Sequence, residues 1–146
     1  MASVFDVAKY ILDTNGEMTA IKLQTLVYYS QSWCLVWWET PLFDEEIQAW
    51  AICPIVPILF NKHKEEFKVN ASFDFGGNVN NLVDYEIGTI DHILESYGDK
   101  KTWQLVELTH REDPWRMARV KIRKGCECTN VITLSSMVEY YMCWVK

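Results

Sequence analysis

A chain of 146 residues suits a single domain, because a core of that size buries enough surface to be stable on its own. The formal net charge of −6 at pH 7 argues against a general nucleic-acid binder, whose affinity depends on Lys and Arg meeting phosphates. Seven Trp, seven Tyr and six Phe exceed what the core obviously requires. Most are expected to fill the core, and some to serve a partner.

The cysteine content and the N-terminal sequence predict a cytoplasmic protein. Five Cys is an odd number, and Cys34 and Cys143 lie in apolar helical patterns, as small buried side chains do in a reducing compartment. The first residues, MASVFDVAKYILD, lack the basic flank, the apolar run and the small-residue cleavage site of a secretory signal.

Residues 21–38, IKLQTLVYYSQSWCLVWW, are predicted to form a central helix. Apolar side chains recur at three- and four-residue steps and aromatic residues widen the stripe, as in a helix buried on most sides. Lys22, Gln24 and the serines would be costly in lipid, so the segment is not predicted to span a membrane. Thr19 is the predicted N-cap, and Pro41 ends the helix because proline disfavours helix before it.

Around this helix the sequence predicts a mainly α (α+β) fold: about six helices, a short strand and a small β-hairpin in one compact domain, residues 1–146. The remaining elements follow from capping residues, breakers and apolar periodicity. They are a first helix at about 4–13, a strand at 47–52, a third helix at 58–67, a loop at 68–81, a fourth helix ending at Gly98, a short fifth helix before His110, another helix begun by Asp113 and Pro114, and a last helix begun by a capping box of Ser136 and Glu139.

The predicted hairpin turns at Gly125. Apolar residues alternate with Arg119, Lys121 and Arg123 on its first strand, and residues 129–133 would form the second. On a strand the three basic side chains would project from one face, which suits a carboxylate-rich partner or a phosphate backbone. The alternative, slightly favoured, is a solvated edge that charge protects against pairing.

The cysteines and histidines do not predict a metal centre or an active site. Cys126 and Cys128 with His110 could supply three metal ligands, but a structural zinc site normally has four. We therefore predict no metal and no cofactor. A nucleophilic Cys served by His63, His92 or His110 is the enzymatic alternative, but with five Cys and three His chance proximity is expected, so no enzymatic activity is predicted.

Five stretches of the chain, in order, carry a family resemblance: DVAKYIL, KLQTLVYYSQSW, PLFDEEIQAW, LTHREDPW with a following arginine, and VITLSSMVEYY. Together they resemble the Panacea domain family, also described as SocA-like antitoxins or phage-associated GepA-like proteins, over nearly the whole chain. Family members typically place a glycine before the proline that is Pro54 here. Cys53 stands at that position, so the chain is identified as a divergent member.

The resemblance implies a small cytoplasmic antitoxin, often encoded on phages and mobile elements, that neutralises a toxin by direct protein contact. Two alternatives keep a protein partner: a phage inhibitor of a bacterial immune component, and an adaptor that delivers a toxin to a protease. A Cys/His hydrolase is a more distant alternative. The expected partner is a protein, and membrane, nucleic acid and small molecules are not expected partners.

Six residues are candidate partner contacts, from the basic hairpin, the LTHREDPW motif and the exposed aromatics expected above. For the motif a structural role is favoured, with Asp113 capping a helix, Trp115 packing into the core and His110 bonding across the break. The six candidates are Arg119, Lys121, Arg123, His110, Trp115 and Trp50.

Overall fold

The computed structural model describes residues 2–145, in which seven α-helices and two small antiparallel pairs of strands surround one core. The mainly α prediction is confirmed, and each of the seven helical segments placed from the sequence corresponds to a helix among these residues. The helices are α1 (Val4–Asn15), α2 (Ala20–Trp38), α3 (Pro57–His63), α4 (Asp84–Tyr97), α5 (Thr102–Arg111), α6 (Asp113–Ala118) and α7 (Leu134–Met142), and the strands are β1 (Met18–Thr19), β2 (Gln48–Ala49), β3 (Pro54–Ile55) and β4 (Lys68–Val69).

Helix α2 is the centre of the molecule, as the sequence predicts. It contacts α1, α4, α5 and α7, and its side chains are buried almost without interruption from Leu23 to Leu35. The Thr19 hydroxyl caps its start by accepting from the Lys22 amide at 3.1 Å. Its end is sharper than the sequence indicates, because Glu39 adopts a left-handed conformation at φ 55° and turns the chain away at once.

The polar residues inside α2 hold the surrounding loops. The Gln24 side chain accepts from the Val56 amide at 2.9 Å, and the Gln31 side chain both accepts from the Leu42 amide at 2.6 Å and donates to the Phe43 carbonyl at 2.8 Å. Buried amide side chains with partners on both groups carry little desolvation cost. These residues therefore fix where the connecting segments cross the central helix.

Helix α1 begins with the predicted capping pair. Asp6 accepts from the Ser3 amide at 2.9 Å, and its other oxygen accepts from the Asn78 amide at 2.8 Å. The loop that follows lies directly on the helix, because a Cβ at Gly77 would stand 2.2 Å from the Phe5 carbonyl oxygen. Any larger residue at Gly77 would push the loop off α1.

The hairpin predicted around Gly125 is wrong in its position. Residues 119–130 form turns and irregular segments, and the small hairpin of this fold is β2 with β3, which pair Gln48 with Ile55. The predicted second strand runs beside β2 instead: the Ala49 amide donates to the Asn130 carbonyl and the Ile132 amide to the Ile47 carbonyl, each at 2.8 Å. The predicted strand at 47–52 is shortened to two residues.

Among residues 2–145, no helix combines the length and the apolar character that crossing a bilayer would take.

Candidate protein-binding surface

Three side chains, from the end of α5, from α6 and from the residue after α6, hold the end of β2 and the segment that follows it. His110 Nε2 lies 2.7 Å from the Ile52 carbonyl oxygen, Trp115 Nε1 donates to the Trp50 carbonyl at 2.9 Å, and Arg119 Nη1 donates to the Ala49 carbonyl at 2.9 Å. A carbonyl only accepts, so Nε2 of His110 is the donor in this bond. We call these three side chains the loop clamp.

The loop clamp is also packed within itself. The His110 and Trp115 rings are stacked, with centroids 4.0 Å apart and planes 8° from parallel, and the Arg119 guanidinium lies 5.2 Å from the Trp115 ring centroid. Arg119 donates once more, to the Cys126 carbonyl at 2.6 Å. The structural role favoured for His110 and Trp115 therefore has a clear geometric basis, whereas the role of these residues in partner binding stays a prediction. The predicted cap is wrong, because Asp113 is the first residue of α6, Glu112 occupies the cap position, and no side-chain hydrogen bond caps this helix.

The other three candidate contacts are placed differently from one another. Lys121 and Arg123 are exposed, and neither forms an ion pair with a carboxylate among the described residues. Arg119 is only 7% exposed, so the expectation that all three basic residues share one open strand face is wrong. Trp50 is half-buried against Phe60, with ring centroids 4.9 Å apart, and its Nε1 donates to Gln48 Oε1 at 2.8 Å.

A buried carboxylate with three tyrosines lies between the helices. Glu112 Oε1 accepts from the hydroxyls of Tyr29 and Tyr141, each at 2.7 Å. The Tyr141 proton is thereby used, so Tyr28, 2.9 Å away, donates to the Tyr141 oxygen. Burial raises the pKa of Glu112, and the bonds from Tyr141 and Tyr29 offset part of that rise. Sequence reasoning missed this network, which joins α2, α7 and the start of α6.

The cysteines and histidines differ in their burial. Cys126 is exposed and Cys128 buried, and no three His, Cys, Asp or Glu within residues 2–145 are grouped as metal ligands. Burial raises the pKa of the Cys53 thiol to about 12, which keeps it uncharged and weakly nucleophilic. His63 is buried beside Gln24, with 3.0 Å between the two Nε2 atoms, and burial lowers its pKa.

An exposed aromatic groove of about 740 Å³ lies where the end of α2 meets α4. Trp38 is 53% exposed and Trp37 is 36% exposed. The sequence carried a signal for it, since two adjacent tryptophans at the end of a helix cannot both face the core. We call it the aromatic groove, and it is lined by Trp37, Trp38, Asp84, Tyr85, Gly88, Thr89 and His92.

A second apolar patch lies between α6 and α7. Met117 and Trp144 are about half exposed there, and they border a cavity of about 560 Å³. The buried Trp33 ring links the two surfaces, since its centroid is 5.3 Å from that of Trp37 and 6.0 Å from that of Trp144. Exposed apolar surface of this extent is typical of an interaction site.

Residues 23–116 match the family described as antitoxin SocA-like, Panacea domain. This match covers more than half of the chain, which therefore belongs to the Panacea domain family of SocA-like antitoxins. No curated protein and no solved structure matches the chain significantly.

The matched residues contain most of α2, all of α4 and α5, and both His110 and Trp115. The resemblance inferred from the sequence is thus confirmed for the family. The DVAKYIL and VITLSSMVEYY stretches, which contain most of α1 and most of α7, lie outside the match. The aromatic groove lies wholly within it.

Proposed function

We propose that this chain is an antitoxin that neutralises a toxin or another effector protein by binding it directly. The observation that carries the proposal is the family match over residues 23–116. A family of antitoxins implies a protein partner and a role that is not enzymatic. Origin from a phage or mobile element, and action in the cytoplasm, belong to the same proposal. The five unpaired cysteines suit a compartment where thiols stay reduced.

The surface supports binding through exposed aromatic side chains and exposed charged residues. Binding energy in protein interfaces concentrates in a few Trp, Tyr and Arg side chains that become fully covered. Trp37, Trp38 and Trp144 are exposed in this structure and have area to bury. Lys121 and Arg123 are exposed and free of ion pairs within residues 2–145, so we propose them as steering charges for the encounter.

Co-expression with the proteins encoded beside its gene tests the proposed function. At least one neighbouring protein should arrest growth of a bacterial host when expressed alone, and co-expression of this chain should restore growth. The two proteins should also co-purify as a complex. A frameshifted copy of the gene is the control, because it keeps the transcript and removes the protein. Arrest that persists beside the folded chain for every toxic neighbour would overturn the proposal.

A further inference from the structure

The aromatic groove is built on a rigid base with an open apolar face. Trp38 Nε1 donates to Thr89 Oγ1 at 3.1 Å, and Thr89 in turn donates to the Tyr85 carbonyl at 2.8 Å. The Trp38 and Tyr85 ring centroids are 5.2 Å apart, and Trp37 meets His92 edge to face at 4.9 Å. The rings are therefore held in place by one another before any ligand arrives.

The charged residues that line the groove or lie near its residues in the chain are acidic. Residues 23–61 and 69–99 contain no Lys or Arg and hold ten of the twenty acidic residues. Asp84 lines the groove, and the exposed Glu39 follows Trp38 directly. Glu95, also exposed, lies one helical turn after His92. A cation entering the groove would meet carboxylates and aromatic faces, both of which attract it.

The dipole of α2 adds to this field. The carboxyl end of a helix carries a partial negative charge, and Lys or Arg in the last turn normally offsets it. Helix α2 has no basic residue in its last turn and no acidic residue in its first. At its other end Lys22, Lys68, Lys100 and Lys101 border a cavity that contains only Glu17 and Asp99 as acids. Acidic residues thus lie at the negative, carboxyl end of α2 and lysines at its positive, amino end, an arrangement that the helix dipole disfavours. Binding of an oppositely charged partner would offset this unfavourable electrostatic energy.

We propose that the aromatic groove binds a cationic, apolar segment of the partner protein. The assignment of that segment to a toxin or effector rests on the proposed function. A Lys or Arg of the segment lies over the indole faces of Trp37 and Trp38 with its charge toward Asp84 and Glu39. Apolar side chains of the same segment cover the Tyr85 ring.

A blocking variant tests the proposal without weakening the fold. Gly88 lies in the middle of α4 and lines the groove, and a Cβ there meets nothing within 4 Å. Gly88→Arg therefore places a bulky cation in the groove, and the exchange of glycine for arginine favours the helix. Ser96→Arg makes the same change of charge at an exposed position of α4 that does not line the groove, and it is the matched control.

The probe is a short, labelled amphipathic peptide of Leu and Lys, followed by fluorescence anisotropy. We expect saturable binding to the parent and to Ser96→Arg, loss of at least about ten-fold in affinity in Gly88→Arg, and loss of more than about five-fold in Trp38→Ala. The same peptide with Glu for Lys should not bind. The proposal is overturned if the Lys peptide does not bind the parent, if the Glu peptide binds as well, or if Gly88→Arg binds like Ser96→Arg.

Neutralising the rim tests the charge component. Glu39→Gln with Asp84→Asn should weaken the Lys peptide about two- to thirty-fold, the range expected for two exposed ion pairs. Glu65→Gln with Glu66→Gln removes two exposed carboxylates elsewhere on the surface and should leave affinity nearly unchanged. If both double variants lose the same affinity for the Lys peptide, the effect comes from net charge alone. That result would overturn the role of Glu39 and Asp84 in binding the cation.

Failure of this inference can be told apart from failure of the proposed function. Growth rescue and co-purification that persist in Gly88→Arg would overturn the groove and leave the antitoxin proposal standing. Specific binding of the Lys peptide in the groove, with no toxic neighbour relieved by the parent, would overturn the antitoxin proposal and leave the ligand chemistry standing.

Discussion

At the scale of single residues, Arg119 shows most clearly how a charge can be structural. Its guanidinium donates to the Ala49 and Cys126 carbonyls at 2.9 and 2.6 Å and packs on the Trp115 ring. A planar guanidinium can donate in two directions while its face contacts an aromatic ring, which an ammonium group cannot do. Replacing Arg119 with a glutamate would therefore disturb the fold, whereas a solvated strand edge would tolerate the same change of charge.

We predict that Arg119→Lys lowers the free energy of unfolding by roughly 2 kcal/mol or more, because a buried carbonyl loses a charged donor and the ring contact is lost. Denaturant unfolding of the purified protein measures it. Arg123→Lys, at an exposed position, is the control and should stay within about 0.5 kcal/mol of the parent. Equal denaturation midpoints for Arg119→Lys and Arg123→Lys would contradict the structural role of Arg119.

At the scale of elements, buried polar groups decide how the helices meet. Glu112 stands between α5 and α6, Tyr28 and Tyr29 belong to α2, and Tyr141 belongs to α7. The hydroxyl bonds to one carboxylate oxygen therefore fix the distance and rotation among these helices more narrowly than apolar packing alone. Tyr97 from α4 stacks on Tyr29 at 4.4 Å and 8°, which brings a further helix into the same cluster.

The buried Glu112 should make stability depend on pH. Burial raises its folded-state pKa above the ordinary value of 4.5, so the folded protein holds this proton more tightly than the unfolded chain does. The stabilisation from this group is complete below pH 4.5 and is lost as pH rises through the folded-state pKa. We predict that the unfolding free energy of the parent minus that of Glu112→Gln falls as pH increases from 4 to 7.

Denaturant unfolding of both proteins at several pH values gives that difference, in which contributions from other titrating groups cancel. Glu139→Gln removes an exposed carboxylate of α7 and is the control. The pH dependence of its unfolding free energy shows the effect of losing a carboxylate that is not buried. A difference that stays constant or grows with pH would show that Glu112 is not the group responsible.

At the scale of the whole molecule, charge is unevenly distributed along the chain. Six of the fourteen basic residues fall between Arg111 and Lys124, whereas residues 23–61 and 69–99 have none. The molecule thus offers a partner both an acid-rimmed groove and an exposed basic segment. Complementary charges of this kind act mainly on the rate of encounter.

We predict that Lys121→Glu with Arg123→Glu slows association with the neutralised toxin roughly ten-fold at low salt and leaves the fold intact, since both side chains are exposed and steering of this size is common. The difference should shrink with added salt, because charges beyond about 8 Å are screened at physiological ionic strength. Surface plasmon resonance gives both rate constants.

The matched control is Lys64→Glu with Lys101→Glu, which makes the same change of net charge at exposed lysines elsewhere. It should slow association less. If the two double variants associate equally fast at low salt, Lys121 and Arg123 do not steer the encounter.

The sequence by itself determined the features that depend on near neighbours in the chain. The apolar run of residues 21–38 indicated the central helix, and Ser3 and Thr19 marked helix starts, because periodicity and capping act over a few residues. The family could also be recognised from the sequence, since its motifs lie in short stretches.

The tertiary structure alone decided which distant residues these local segments contact. The sequence pattern at 119–124 and 129–133 is compatible with a hairpin, but residues 130–132 form hydrogen bonds with residues 47–49 instead. The Arg119 side chain turns inward and donates to the Ala49 and Cys126 carbonyls, so residue 119 is not on an open strand face. The Glu112 network and the aromatic groove arise in the same way, from side chains far apart in the chain, and no local pattern specifies such contacts.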